Sequence, residues 1–146
     1  MAETEFMQIR TNTIVETLNT GLRIGNYNLN SRLLVAPMAG VADAPFRKQC
    51  RLFGAGLSTA EMLTSDIYLW DQPKSQWRLR WADNEIPISV QLAGTEPALM
   101  AQAAQACQSL GAQIIDINMG CPAKKVCKKA AGSALMEQQE LVFSIV

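Results

Sequence analysis

The chain has 146 residues, 49% hydrophobic and 18% charged, with Lys plus Arg and Asp plus Glu balanced at 13 each. That size and apolar content suit one domain with a buried core, and they exclude a disordered, collagen-like or low-complexity chain. Zero net charge argues against a strongly basic nucleic-acid module, though not against a local basic patch. The chain contains no histidine, so Ser-His and Cys-His dyads and His-ligated metals are excluded from it. Cysteines at 50, 107, 121 and 127 form no CxxC pair, which makes a zinc knuckle improbable. They read as reduced cytosolic thiols rather than a disulfide scaffold, and a cytoplasmic protein is expected. The longest nearly uncharged run, Leu33 to Ala42, is broken by Pro37 and Gly40. A bilayer helix needs roughly 20 apolar residues, so none is expected, and the polar MAETEF start is no secretory signal.

Residues 1–32 read as an N-terminal lead-in in which Ile24-Gly25-Asn26-Tyr27 can turn a short hairpin. Residues 33–146 read as the main unit. Its first strand, Leu33 to Met38, is a continuous apolar run ended by Ala39-Gly40. Asp43 then stands where a helix N-cap belongs, and Pro45 is tolerated in the first turn because its missing N–H has no intrahelical partner there. Phe46, Cys50 and Phe53 recur at helical spacing, and Gly54 supplies the stop. A second strand runs from Gly56 to Met62. It is followed by a less regular stretch, Ser65 to Asn84, in which Trp77, Arg78, Arg80 and Trp81 could touch RNA, although packing over a helix is favoured. The third strand, Ile86 to Leu92, can open with Pro87, where a missing donor is tolerable. Thr95-Glu96-Pro97 starts a helix whose Leu99, Met100, Ala103, Cys107 and Leu110 form one apolar face, stopped by Gly111. The fourth strand, Gln113 to Met119, leads into a Gly/Lys loop and a helix from about Ser133.

Strand starts near 33, 56, 86 and 113 are spaced by 23, 30 and 27 residues. A (β/α)8 TIM barrel of about 250 residues gives about 31 per unit, and near-continuous apolar strands alternating with helices indicate a parallel sheet. The predicted fold is therefore α/β, the N-terminal half of a TIM barrel with about four βα units, truncated before strand five. An open half-sheet would leave two unpaired edges, and the closing amphipathic stretch carries no stop signal. A longer protein is expected.

In such a barrel the active site lies at the C-terminal strand ends. Period-2 alternation puts Ser89 and Gln91 on one face of strand three, and Asp116 and Asn118 on one face of strand four. Polar residues inside apolar strands are costly unless paired, so they are expected to face a polar ligand. For Asp116 a structural hydrogen bond is an equal alternative, whereas Gln91 and Asn118 sit at strand ends and are taken as functional. Cys121 follows strand four in a Gly-Cys-Pro turn. A thiol of ordinary pKa, near 8.5, is mostly protonated at neutral pH and can donate a proton as well as act as a nucleophile. Cys50 and Cys107 fall on apolar helix faces and read as structural, while Cys127 is undecided. Lys124, Lys125, Lys128 and Lys129 crowd six residues beside this rim, which favours phosphate binding over plain solvated surface.

VAPMAGVADAPFR (35–47), GAGLSTAEM (54–62), VQLAG (90–94) and DINMGCPAKKVCKKAAGSAL (116–135) together resemble the tRNA-dihydrouridine synthase family of flavoproteins. The KKVCKK form is similar to the bacterial B-type subgroup, and the likeness covers roughly residues 22–146. It implies an FMN enzyme that uses NADPH to reduce the uridine C5=C6 bond in tRNA to dihydrouridine. Pro37, Met38, Ala39 and Gln91 would contact FMN, and Asn118 would lie near both flavin and uracil. Hydride would pass from flavin N5 to C6, and Cys121 would protonate C5. Arg47 and the four lysines become candidates for tRNA backbone contacts. The resemblance implies no metal or membrane and leaves the oligomeric state open. The family's strands five to eight and its helical tRNA-binding domain are absent, so this segment alone is expected to bind FMN weakly and reduce no tRNA. The alternatives are a flavin-dependent reductase of a small pyrimidine-like substrate, or a non-catalytic truncated fragment.

Overall fold

The computed structural model describes residues 14–146, so the first 13 positions of the expected lead-in lie outside the described residues. The hairpin forms where the Gly25-Asn26 turn predicts it. β1 (Leu22–Ile24) pairs antiparallel with β2 (Tyr27–Leu29), Ile24 opposite Tyr27. The chain then passes Ser31, whose hydroxyl donates to the Gly54 carbonyl at 2.7 Å and joins the lead-in to the foot of the sheet.

Four parallel strands follow in sequential order: β3 (Leu34–Val35), β4 (Leu57–Thr64), β5 (Ser89–Ala93) and β6 (Ile114–Ile117). All four expected strands exist, though most are shorter than their apolar runs. β5 starts at Ser89, with Ile86-Pro87, a cis peptide, just ahead of it. β4 extends past Met62 to Thr64. Its register against β5 shifts between Ala60 and Leu63, so Glu61 and Met62 together oppose the single residue Gln91. That β-bulge breaks strict alternation, so two consecutive side chains turn toward the rim instead of to opposite faces.

Helices cross between the strands. α1 (Ala44–Leu52) is capped as its sequence requires, the Asp43 carboxylate accepting from the Phe46 N–H at 2.9 Å. α2 (Pro73–Arg78) follows a short turn of 3-10 helix, Ile67–Leu69. α3 (Pro97–Ser109) buries Met100, Ala103 and Cys107 as its spacing predicts, against Leu63, Val90 and Leu92 of the sheet and the ring of Trp70. Met100 and the leucine and valine side chains here contribute about 1.5–3 kcal/mol each on full burial. Burial also pushes the Cys107 thiol up to about 11, because the apolar surroundings disfavour its thiolate. After β6 come α4 (Lys124–Cys127), a 3-10 turn (Gly132–Glu137) and α5 (Gln139–Ile145).

α1 corrects the sequence reading twice. Phe53, expected on its apolar face, is 87% exposed at the C-cap. Arg47, expected on the surface as a tRNA contact, is 0% exposed. Its Nε donates to Glu85 Oε1 at 2.6 Å and one Nη2 hydrogen to Oε2 at 3.1 Å. Two of the three remaining donors reach the Ala42 carbonyl at 2.7 Å and the Arg80 carbonyl at 2.8 Å. Glu85 also accepts from the Ala82 N–H at 3.0 Å. An isolated buried guanidinium would be prohibitively costly, and this one is tolerated because nearly every donor is spent on a fixed acceptor. Arg47 thus ties α1 to the loop before it and to the segment after α2, and it is unavailable to a ligand.

Candidate active site

The strand ends of β5 and β6 build a continuous line of side-chain amides. Register places Gln91 directly opposite Asp116. Gln91 Nε2 donates to Asp116 Oδ2, and Gln91 Oε1 accepts from Asn118 Nδ2 at 2.8 Å. Asn118 Oδ1 in turn accepts from the backbone N–H of Cys121 at 3.0 Å and of Gly120 at 3.3 Å. The asparagine therefore folds the Asn118–Cys121 turn about its own side chain, the local bonding for which Asn is favoured in turns. Each amide nitrogen keeps one N–H outside this network. Asp116 acts as the anchor that fixes the Gln91 rotamer.

From below, the same turn is gripped by the chain that returns to it. The Ser133 N–H donates to the Cys121 carbonyl at 3.0 Å, and the Cys127 thiol lies 3.5 Å from that oxygen and 3.4 Å from Ser133 Oγ. Gly132 makes this approach possible. It adopts φ +66°, and a Cβ there would fall 2.5 Å from the Cys121 carbonyl oxygen. Cys127, undecided from sequence, thus packs beneath the Cys121 backbone.

Above the network lies an open hollow of about 340 Å³ lined by Pro37, Ala39, Met62, Gln91, Asn118, Gly120 and Cys121. Five residues expected to act together, Pro37, Ala39, Gln91, Asn118 and Cys121, share this wall. Met38 does not line it; its carbonyl accepts from the Val41 and Ala42 N–H groups and shapes the turn after β3. Met62, at the end of the second expected strand, also lines the wall, because the bulge turns it inward. Lys124, Lys125, Lys128 and Lys129 are exposed on and just after α4, outside the wall. Arg47, as shown above, is sealed beneath α1.

Apolar walls, two convergent amides and a half-buried thiol suit a flat, polar-edged ring better than an extended polar chain. A matching family model covers residues 34–146, described as dihydrouridine synthase. The chain belongs to the dihydrouridine synthase family. Among its relatives is a protein of Pseudomonas aeruginosa named tRNA-dihydrouridine synthase B, 58% identical over 86% of this chain and 38% of the relative. One of the same name in Pseudomonas syringae pv. tomato is 56% identical over 87% of this chain and 38% of its own length. Another, in Vibrio vulnificus, is 52% identical over 86% of this chain and 39% of its own. The B-type likeness drawn from KKVCKK is thereby borne out, while the chain spans only about two fifths of those dihydrouridine synthases. Among the described residues no group of His, Cys, Asp and Glu could hold a metal ion, and no helix is long and apolar enough to cross a membrane.

Proposed function

We propose that this chain supplies the first four staves and half the rim of a TIM-barrel tRNA-dihydrouridine synthase. In this reading a cytoplasmic flavoenzyme uses NADPH and FMN to reduce the uridine C5=C6 bond in tRNA. The observation that carries the proposal is the convergence of Gln91, Asn118 and Cys121 on one hollow of a chain that belongs to the dihydrouridine synthase family.

The residues present fit one face of a flavin. Pro37, Ala39 and Met62 offer an apolar surface for a fused ring, and the spare N–H groups of Gln91 and Asn118 match the acceptors along such a ring's pyrimidine edge. When bound, the reduced flavin supplies the hydride that reaches uracil C6, and NADPH supplies the electrons that restore it. This chain does the rest of the work assigned here. Asn118 orients the base and the Cys121 turn together, because one amide serves both. The Cys121 Sγ–H gives its proton to C5 as C6 gains the hydride, leaving a thiolate that solvent reprotonates. Delivering the uracil requires swinging it from its stack, at a few kcal/mol that backbone contacts must offset. Lys124, Lys125, Lys128 and Lys129 are the cations offered for those contacts.

The test uses the full-length protein with NADPH and unmodified tRNA, reading the mass gain of two hydrogens on uridine. Cys121→Ala should keep bound flavin and its reduction by NADPH while dihydrouridine formation falls roughly 10²–10⁴-fold, the range for a lost general acid. Unchanged turnover would return Cys121 to a structural role. Wild-type protein that reduces no tRNA would overturn the proposal.

A further inference from the structure

A second hollow, about 470 Å³, opens on the same rim and shares Ala39 with the first. It lies between the turn after β3 and α2, and Asp43, Glu61, Lys74, Trp77 and Arg78 shape it. Its two acids are already engaged. Glu61 Oε2 accepts from Arg78 Nε at 3.0 Å, and Asp43 caps α1. Arg78 Nη1 donates to the Met62 carbonyl at 3.1 Å, and among the described residues Nη2 has no partner. Lys74 is exposed and, among the described residues, has neither an ion pair nor a hydrogen bond. Trp77 is 55% exposed, with the Arg80 guanidinium stacked 4.3 Å from its ring centroid.

The sequence alone favours packing for these residues. Trp81 does pack, donating from Nε1 to the Leu110 carbonyl at 3.0 Å, but Trp77 does not. An exposed indole paired with a guanidinium, beside an unmatched ammonium, is the combination that binds single-stranded nucleic acid. The bases stack on the π-face and cations meet the phosphates. The platform is also held rigidly. Arg47 bonds the Ala42 carbonyl on one bank and the Arg80 carbonyl just past the end of α2, the helix that forms the other bank, which ties the two together.

We infer that the second hollow receives the nucleotide next in the RNA strand to the one whose base enters the Cys121 hollow. Its base rests against the Trp77–Arg80 pair and its phosphate meets Lys74. The inference rests on the proposed function for which hollow takes the reacting base, but the stacking platform itself is testable by binding alone. A strand neighbour is favoured over a free dinucleotide because the two hollows adjoin across one alanine, as successive nucleotides of a splayed strand would require.

The experiment titrates a short, dye-labelled single-stranded oligouridylate with the full-length protein, reading affinity from the dye's anisotropy and stacking from tryptophan fluorescence. The expected result is quenching in wild type and binding weakened roughly 5- to 100-fold in Trp77→Leu, the range for one lost base stack. Trp77→Phe keeps a stacking face, so it should retain most affinity while losing the quench, which separates stacking from misfolding. Lys74→Ala should lower the slope of log affinity against log salt by about 0.7, one phosphate contact on a single strand. Wild-type affinity in Trp77→Leu would overturn the inference. So would quenching by NADPH that Trp77→Leu weakens while oligouridylate binding stays intact. In tRNA reduction the Trp77→Leu effect should fall on KM rather than kcat. Failure of wild type to reduce tRNA would count against the enzymatic reading, and the binding titration would still decide the platform.

Discussion

On the β5–β6 side of the rim, Gln91 and Asn118 are held by neutral amide hydrogen bonds that run into the Cys121 turn. On the β3–β4 side the fastening is ionic, with Arg47 on Glu85 and Arg78 on Glu61. On the proposed function the difference has a chemical reason. In that reading, a ring that gains a hydride and a proton is best met by donors that carry no net charge of their own, with Asp116 set back behind Gln91. The other side holds α1 and α2 at a fixed separation, and with it the hollow between the turn after β3 and α2. There a buried, multiply bonded arginine gives rigidity, and breaking it leaves an uncompensated charge.

Breaking the ionic side should cost most in stability. Arg47→Ala leaves Glu85 buried without its cation, and urea unfolding should register a loss of roughly 3–5 kcal/mol. Arg47→Met combined with Glu85→Leu should recover part of that. Full recovery is not expected, because the Ala42 and Arg80 carbonyls lose their donor in either case. A single mutant as stable as wild type would mean the pair contributes nothing.

On the amide side the cost should appear in turnover instead. Asn118→Ala frees the Gly120 and Cys121 N–H groups and loosens the thiol's position, so dihydrouridine formation should fall about 10²-fold, the scale of a 1 Å misplacement. Thermal unfolding should move far less than in Arg47→Ala. Equal damage to stability in both variants would erase the distinction between the two sides.

In the core between α3 and the sheet lies Cys107, whose thiol burial raises from its ordinary range to about 11. The folded state holds the proton more tightly than the unfolded chain, so this stabilisation is complete below pH 9 and is lost as pH climbs through 11. A shift of this size bounds it at a few kcal/mol. Urea unfolding at intervals from pH 7 to 11 should therefore fall less steeply for Cys107→Ala than for wild type. Parallel curves would assign the alkaline loss to other groups. The smallest effect expected is at the surface, where Lys128→Ala should weaken oligoribonucleotide binding only a few-fold and flatten its salt dependence by about one contact.

Much of the frame was legible in the sequence because it is local. The hairpin turn, the Asp43 cap, the α3 face and the four apolar strands each depend on residues within a few positions of one another. Gln91, Asn118 and Cys121 were legible too, since alternation and strand ends put them on one face. Arg47 was not, because its partner Glu85 stands 38 positions away and nothing in the spacing joins them. Phe53 misled because helical periodicity counts faces and cannot tell which face meets the sheet. Trp77 and Trp81 look alike in sequence, and only the neighbourhood of each ring separates exposed from packed.

The bulge in β4 has a consequence for how this segment tolerates change in length. Because Glu61 and Met62 share one opposing residue, one of them serves the hollow beside α2 and the other serves the hollow beside Cys121. Removing a single codon there would straighten the ladder without touching the oily interior, yet one of the two cavities would lose its wall. The count of residues along this stave is therefore set by the two cavities it separates.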